Sequence, residues 1–294
     1  AAGTLTVHPR PITVTAASAE KVYDGTALTE GGVIVTSEYE PALVAGHTYT
    51  AKTEGSITDA GKAENTVIEF AVFDASGRNV TANYKISFGT GVLTVYRRPV
   101  TFKTASNEWI YDGEEHFDAG FALSESNEND PALVAGHRAE VWAQTVITDA
   151  GKSDNMLIIE IVAPSGLVMT GNYEISYEYG TLTVHPRPIT VTAVNAEKVY
   201  DGLPLESTEI EISSEYDPAL VADHRYEFYN SGTQTDAGQG TCTVAFFRIY
   251  NGENADMTAN YEVTFSDGTL TVTRRPFAVM AGSDRKVYDG TPLT

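Results

Sequence analysis

The tripeptide Tyr-Asp-Gly recurs four times along the chain, at Tyr23-Asp24-Gly25, Tyr111-Asp112-Gly113, Tyr200-Asp201-Gly202 and Tyr288-Asp289-Gly290, with successive tyrosines 88, 89 and 88 residues apart. A fixed long period means one folding unit copied in tandem, so the chain reads as an array whose every copy must close on itself within that length. An Arg-Pro pair keeps the same rhythm: Pro11, Pro99, Pro188 and Pro276 each precede the matching tyrosine by 12 residues.

Other motifs follow in step. Pro-Ala-Leu-Val-Ala-Gly-His spans 41–47 and 131–137, and its variant with Asp223 spans 218–224. Thr-Asp-Ala-Gly falls at 58–61, 148–151 and 235–238, and Asn-Tyr at Asn83-Tyr84, Asn172-Tyr173 and Asn260-Tyr261. Each of those asparagines precedes a glycine (Gly91, Gly180, Gly268) by eight residues, and eight more lead to the next Arg-Pro proline. The repeats are therefore 11–98, 99–187 and 188–275. Residues 1–10 read as the closing strand of a preceding repeat and 276–294 as the opening strands of a following one, which is expected of a window on a longer array.

A repeat of this size can bury one modest core. Cys242 is the only cysteine, so no disulfide forms within the chain. No run of 18 or more apolar residues exists, and membrane insertion of this segment is not expected. The net charge is −21: −3, −10 and −9 over the three repeats, +1 for residues 1–10 and 0 for 276–294. Such a surface repels nucleic acid and keeps neighbouring modules soluble and apart.

Within the first repeat, Ile12-Thr13-Val14-Thr15 alternates with the period of a half-buried strand. Lys21-Val22-Tyr23 is a second short strand ending in the Asp24-Gly25 turn, with Asp112-Gly113 and Asp201-Gly202 in the same role. Val33–Val35, Thr48–Thr53, Thr66–Phe73, Tyr84–Phe88 and Val92–Tyr96 continue the β pattern. At Pro41–Gly46 an acidic residue, then Pro, then a closing Gly describe one helical turn. The expected fold is all-β: a tandem array of small domains, immunoglobulin-like sandwich or β-grasp sheet, with one helical turn per repeat. The connectors, His-Pro-Arg-Pro or Arg-Arg-Pro, are built of residues that stiffen an extended backbone.

The Lys-Val-Tyr-Asp-Gly opening, the Thr-Asp-Ala-Gly turn, the Thr-Ala-Asn-Tyr segment and the Gly-Thr-Leu-Thr-Val close followed by Arg-Pro resemble the MBG/YDG-type repeats of large bacterial surface proteins. The resemblance covers all three repeats and both flanking segments. It implies an extracellular protein, attached to a bacterial cell wall or forming a fibre, with a stalk or adhesin role. It brings no catalytic residue. Trp109 departs from it, standing where the other repeats have Lys21 and Lys198.

The chemistry is sparse. His47, His137 and His224 each stand alone after the expected helical turn and read as helix-end residues, not as metal ligands. The Tyr-Asp-Gly aspartates sit beside glycines and lack the remainder of a calcium loop. Lys21, Lys198 and Lys286 raise the possibility of isopeptide bonds, which Trp109 disfavours. No catalytic, metal or cofactor site is expected, and no enzyme. The expected function is structural, a stiff stalk or fibre shaft projecting a distal domain, with adjacent repeats as partners. The alternative is an adhesin that binds a host surface glycoprotein or glycan weakly and repeatedly.

Overall fold

The computed structural model describes residues 3–124 and 131–294. Two compact units are present. The first comprises Ala1–Asn107, Phe117–Thr145 and Ser153–Leu182; the second comprises Glu108–His116, Val146–Lys152 and Thr183–Thr294. The division runs through the second sequence repeat.

In the first unit, repeat 1 supplies β1 (Arg10–Ala16), β2 (Ala19–Val22), β3 (Val33–Thr36), β4 (Thr48–Glu54), β5 (Gly61–Phe73), β6 (Tyr84–Gly89) and β7 (Gly91–Tyr96). One sheet has the order β3-β1-β6 and the other β2-β7-β5-β4. Strand β1 runs parallel to β6, with Pro11 opposite Lys85, and antiparallel to β3. Strand β5 is long enough to serve two partners: Gly61–Asn65 pair with β7, and Thr66–Phe73 pair with β4. Ile12 and Val14 of one sheet share a buried cluster with Val72 of the other, closed by Val80 and Tyr84. The apolar positions of Ile12-Thr13-Val14 thus fill the core, as strand alternation requires.

Repeat 2 follows with β8 (Arg98–Thr104), β9 (Asn107–Ile110), β10 (Phe121–Leu123), β11 (Arg138–Gln144), β12 (Gly151–Asp154), β13 (Leu157–Val162), β14 (Tyr173–Glu178) and β15 (Thr181–His185). In the first unit its strands form a sheet of order β10-β8-β14 and the antiparallel pair β11-β13. Pro99 pairs with Glu174 across the parallel β8–β14 contact. Strands β9, β12 and β15 are cut by the division between the units.

The second unit holds repeat 3: β16 (Arg187–Ala193), β17 (Ala196–Val199), β18 (Ile210–Ser213), β19 (Arg225–Ser231), β20 (Gly238–Tyr250), β21 (Tyr261–Ser266) and β22 (Gly268–Thr273). Its sheets, β18-β16-β21 and β17-β22-β20-β19, match those of repeat 1 strand for strand, with Pro188 opposite Glu262. Gly91, Gly180 and Gly268 follow the β6, β14 and β21 strands where the chain passes close to another backbone. A Cβ there would lie 2.4, 2.2 and 2.4 Å from the carbonyl oxygens of Ala17, Ala105 and Ala193. Only glycine fits that approach.

The expected helical turn is absent. Pro41–Gly46 and its counterparts at 131–136 and 218–223 are bends closed by one turn, in which His47 N donates to Val44 O at 2.9 Å. The reason is competition for carbonyls. Arg10 Nε donates to Ala42 O at 3.0 Å and its Nη2 to Pro41 O, taking oxygens that a helical turn would turn towards its own N–H groups. The helical geometry that does occur is 3₁₀, at Thr81–Asn83, Thr170–Asn172 and Thr258–Asn260. With the carbonyls committed elsewhere, His47, His137 and His224 follow a bend, and the helix-end reading of them fails.

Candidate functional site

The recurring motifs converge on the ends of the repeats. In the first unit, Tyr23 of repeat 1 is 1 % exposed and lies in a cluster made mainly by repeat 2: Val100, Phe102, Leu157, Ile159, Ile161 and Tyr173. Its ring meets Tyr173 edge to face, with centroids 5.7 Å apart and an interplanar angle of 76°. The Tyr173 hydroxyl is fixed on the far side, accepting from Val134 N at 3.1 Å and lying 2.8 Å from His137 Nδ1. Tyr23 is therefore a knob, and the Pro131–His137 segment with Tyr173 is its socket.

Two polar clamps close around it. The Arg98 guanidinium donates to Ala132 O at 2.9 Å, to Pro131 O and to Tyr23 O at 3.2 Å, so one cation ties the knob to the rim of the socket. The Asn172 amide spans the other side. Its Oδ1 accepts from Ala60 N at 2.7 Å and its Nδ2 donates to Asp59 Oδ1 at 3.0 Å. The Thr-Asp-Ala-Gly turn of repeat 1 is thereby docked on the Asn-Tyr pair of repeat 2.

The second unit repeats the arrangement. Tyr111, 2 % exposed, packs with Ile189, Val191, Phe247, Ile249 and Tyr261, and its ring meets Tyr261 at 5.6 Å and 76°. The Tyr261 hydroxyl accepts from Val221 N at 3.0 Å and lies 2.7 Å from His224 Nδ1. Arg187 donates to Ala219 O at 3.0 Å, Pro218 O at 2.7 Å and Tyr111 O at 3.4 Å. Asn260 accepts from Ala150 N at 2.7 Å and donates to Asp149 Oδ1 at 2.8 Å.

The turn residues shape the knob. Gly25, Gly113 and Gly202 have φ of +79°, +83° and +81°, a conformation glycine adopts without steric cost. At the first two there is a further demand, since a Cβ would lie 3.0 Å from Val134 Cγ1 and 2.7 Å from Val221 Cγ1. The Asp24 carboxylate accepts from Lys21 Nζ at 2.6 Å and Thr26 N at 2.9 Å, and these bonds hold its pKa down at about 2. Asp112 accepts from Glu114 N at 2.9 Å and pairs with His116 Nε2; Asp201 accepts from Leu203 N at 3.0 Å and from Lys198 Nζ at 2.8 Å. Trp109 takes the place of the lysine, stacking on His116 at 4.9 Å. Pro276 lies outside the strands.

Burial sets the electrostatics. Desolvation pushes the Tyr111 phenol up to about 12, with Tyr261 and Asp149 adding to it and Asn260 opposing. The Tyr23 phenol is raised for the same reasons, burial first and then Tyr173 and Asp59. Burial also lowers His137 and His224, keeping both imidazoles neutral at pH 7. The assembly is thus a neutral aromatic cluster closed by a guanidinium and an amide. It offers adhesion between chain segments.

The sequence motifs mark Asp24, Gly25, Asp112, Gly113 and the prolines but not the contacts of Arg98, Arg187, Asn172 and Asn260. Their recurrence was the available signal. Each joins segments more than 30 residues apart, which no local pattern encodes.

No protein-family model matches the sequence, and no curated protein matches it. Among solved structures, Drosophila N-cadherin EC1-3 is 9 % identical over 88 % of this chain and 98 % of its own, with a TM-score of 0.22. Drosophila N-cadherin EC1-4 is 10 % identical over 92 % of this chain and 76 % of its own, at 0.24. SGBP-B of the Bacteroides ovatus mixed-linkage glucan utilization locus, in complex with a mixed-linkage heptasaccharide, is 14 % identical over 88 % and 66 %, at 0.15. At such scores these likenesses assign neither fold nor function.

Proposed function

We propose that this chain is the repeat region of an extracellular bacterial surface protein of the MBG/YDG type, a stiff stalk or fibre shaft made of immunoglobulin-like sandwiches. It carries out no reaction, and its partners are the adjacent repeats. One observation carries the reading: the residues that recur from copy to copy are spent on burying a tyrosine of one repeat in the next, with the same contacts in both units. Selection for a ligand site would instead repeat exposed side chains. A buried aromatic knob with two polar clamps resists bending at a junction, where a Gly/Ser connector would not.

Small-angle scattering from the full chain tests it. The expected result is an elongated particle with no flexibility signature, which Tyr23→Ala and Tyr111→Ala together convert into a flexible one. A wild-type chain already as flexible as the double variant would overturn the reading.

A second reading, adhesion to a glycan, has one observation in its favour. The fifth residue of a hairpin strand is Trp142 in β11, 75 % exposed, and Tyr229 in β19, 65 % exposed, and such rings suit stacking on sugar faces. Repeat 1 has Lys52 there, paired with Glu69, so the feature is not common to all copies. Binding of soluble polysaccharides that is lost in Trp142→Ala would support it.

A further inference from the structure

Repeat 3 carries a cleft that the junction chemistry does not use. Its walls are residues 206–208 and 228–233, and its volume is about 260 Å³. Backbone and amide bonds fix the two walls against each other. Leu205 N donates to Gln234 O at 2.9 Å, and Gln234 N donates to Leu205 O at 3.1 Å. Asn230 Nδ2 donates to Ser207 O at 3.1 Å and to Glu209 O at 3.0 Å, tying the second wall to the first. Gly232 turns the second wall at a φ of +114°, where a Cβ would lie 2.1 Å from Thr241 O. The walls are thus set by the fold before any ligand arrives, as in most small-molecule sites.

Among the described residues, nothing hydrogen-bonds the Glu206 carboxylate or the Thr208 and Thr233 hydroxyls that line it. Tyr229, 65 % exposed, lines it too and stands directly opposite Phe246 in the β19–β20 register, which puts both rings on one outward face. The cleft does not owe its openness to a missing neighbour. In repeat 1 the same segments, 29–31 and 53–56, also bound an open cleft, although Ile57, the next residue, packs on the core built chiefly by repeat 2. That copy has Lys52 opposite Glu69 in place of the two rings, so the aromatic rim distinguishes repeat 3 from repeat 1.

We propose that this cleft binds a neutral pyranose unit of a glycan chain, with one sugar face on Tyr229 and the sugar hydroxyls on Glu206, Thr208 and Thr233. A pyranose has C–H groups on its faces and hydroxyls around its edge, the same division of apolar and polar groups that the cleft presents. Sugar hydroxyls donate to the Glu206 carboxylate in charge-assisted bonds. That carboxylate, in a repeat of net charge −9, turns away uronates, sulfated sugars and other anions, which selects neutral chains. One ring and one cleft make a weak site, with a Kd of about a millimolar. The proposal rests on the glycan reading above, which it narrows from a stacking surface to one cleft of repeat 3, and it is independent of the stalk.

Isothermal titration of the full chain with cellohexaose, laminarihexaose, maltohexaose and mannohexaose, each to about 10 mM, is the test. At least one of the four is expected to bind, and hexagalacturonate is expected not to. Tyr229→Ala should weaken binding at least about tenfold through loss of the stacked ring. Glu206→Gln should weaken it about threefold or more, since a charged acceptor becomes a neutral one. Lys52→Ala, at the Tyr229 position of repeat 1, should bind as wild type. Tyr229 and Glu206 are exposed, so unchanged circular dichroism and melting temperature are expected and certify the fold. Failure of all four neutral hexaoses to bind, binding by Tyr229→Ala equal to wild type, or hexagalacturonate binding as tightly as the neutral sugars would each overturn the proposal. Binding that survives Tyr229→Ala and disappears in Trp142→Ala would also overturn it, while leaving glycan adhesion standing on repeat 2.

Discussion

The tyrosines of the recurring Tyr-Asp-Gly turn sit in different surroundings, and that makes the chain its own control. Tyr111 is buried against Tyr261, whereas Tyr200 is 40 % exposed. Tyr111→Ala should lower stability by about 3 kcal/mol or more, the cost of removing a buried aromatic. Tyr200→Ala should change it by less than about 0.5 kcal/mol. Urea denaturation of the two variants measures the difference. The same burial has a titration signature. Tyr111 ionises at about 12 when folded, against 10.0 ordinarily. Its folded pKa is raised, so its contribution is complete below pH 10 and is lost as pH rises towards 12. Tyrosinate absorbance should therefore appear late for Tyr111 and Tyr23 in wild type. The histidines act at the other end of the scale. Folding lowers His137 and His224 from 6.5, so the unfolded chain binds protons first as pH falls. Stability is full above pH 6.5 and declines below it, which melting temperatures at pH 7.5 and 5.5 should register. His137→Gln should flatten that slope.

The Thr-Asp-Ala-Gly turns make a parallel case among the elements. Asn172 holds the Ala60 amide and Asn260 the Ala150 amide, each at 2.7 Å. Asn172→Ala should cost about 1–3 kcal/mol, since it strands a half-buried donor. Hydrogen exchange at Ala60 should accelerate while that at Val72, deep in the first core, stays slow. Most strands were legible in the sequence because alternation is local: Ile12-Thr13-Val14 needs only its own period to announce which side faces inward. The local pattern places the start of β5 at Thr66, whereas the strand starts at Gly61, because its first residues pair with β7 some thirty positions on. Pro41–Gly46 carries a good local cap signal for a helical turn. It lost to Arg10, whose guanidinium takes the carbonyls of Pro41 and Ala42 from outside the segment. The knobs are visible as recurring tyrosines, but the sequence does not say whose core they fill.

For the molecule as a whole, the sequence repeat and the compact unit are out of phase: Val95 belongs to repeat 1 by period and to a cluster built chiefly by repeat 2 by packing. Stability in such a chain is a sum of intrinsic and nearest-neighbour terms. Residues 276–294, strandless and with Val287 and Tyr288 about 90 % exposed, should exchange their amides at unprotected rates and be trimmed first by a non-specific protease.

The offset between period and packing bears on inheritance. Because Tyr23 and Tyr111 are each read by the socket of the following copy, a gene encoding such an array can gain or lose a whole period at any point. Every remaining boundary then reunites a knob with a socket of the same pattern. A substitution in one copy, by contrast, is judged by its neighbour. The copies must drift together at Tyr23/Tyr173 and Tyr111/Tyr261. They are free to drift apart at Lys52, Trp142 and Tyr229, which face outward. Length is then the trait such a gene varies most readily, and the joint the one it varies least.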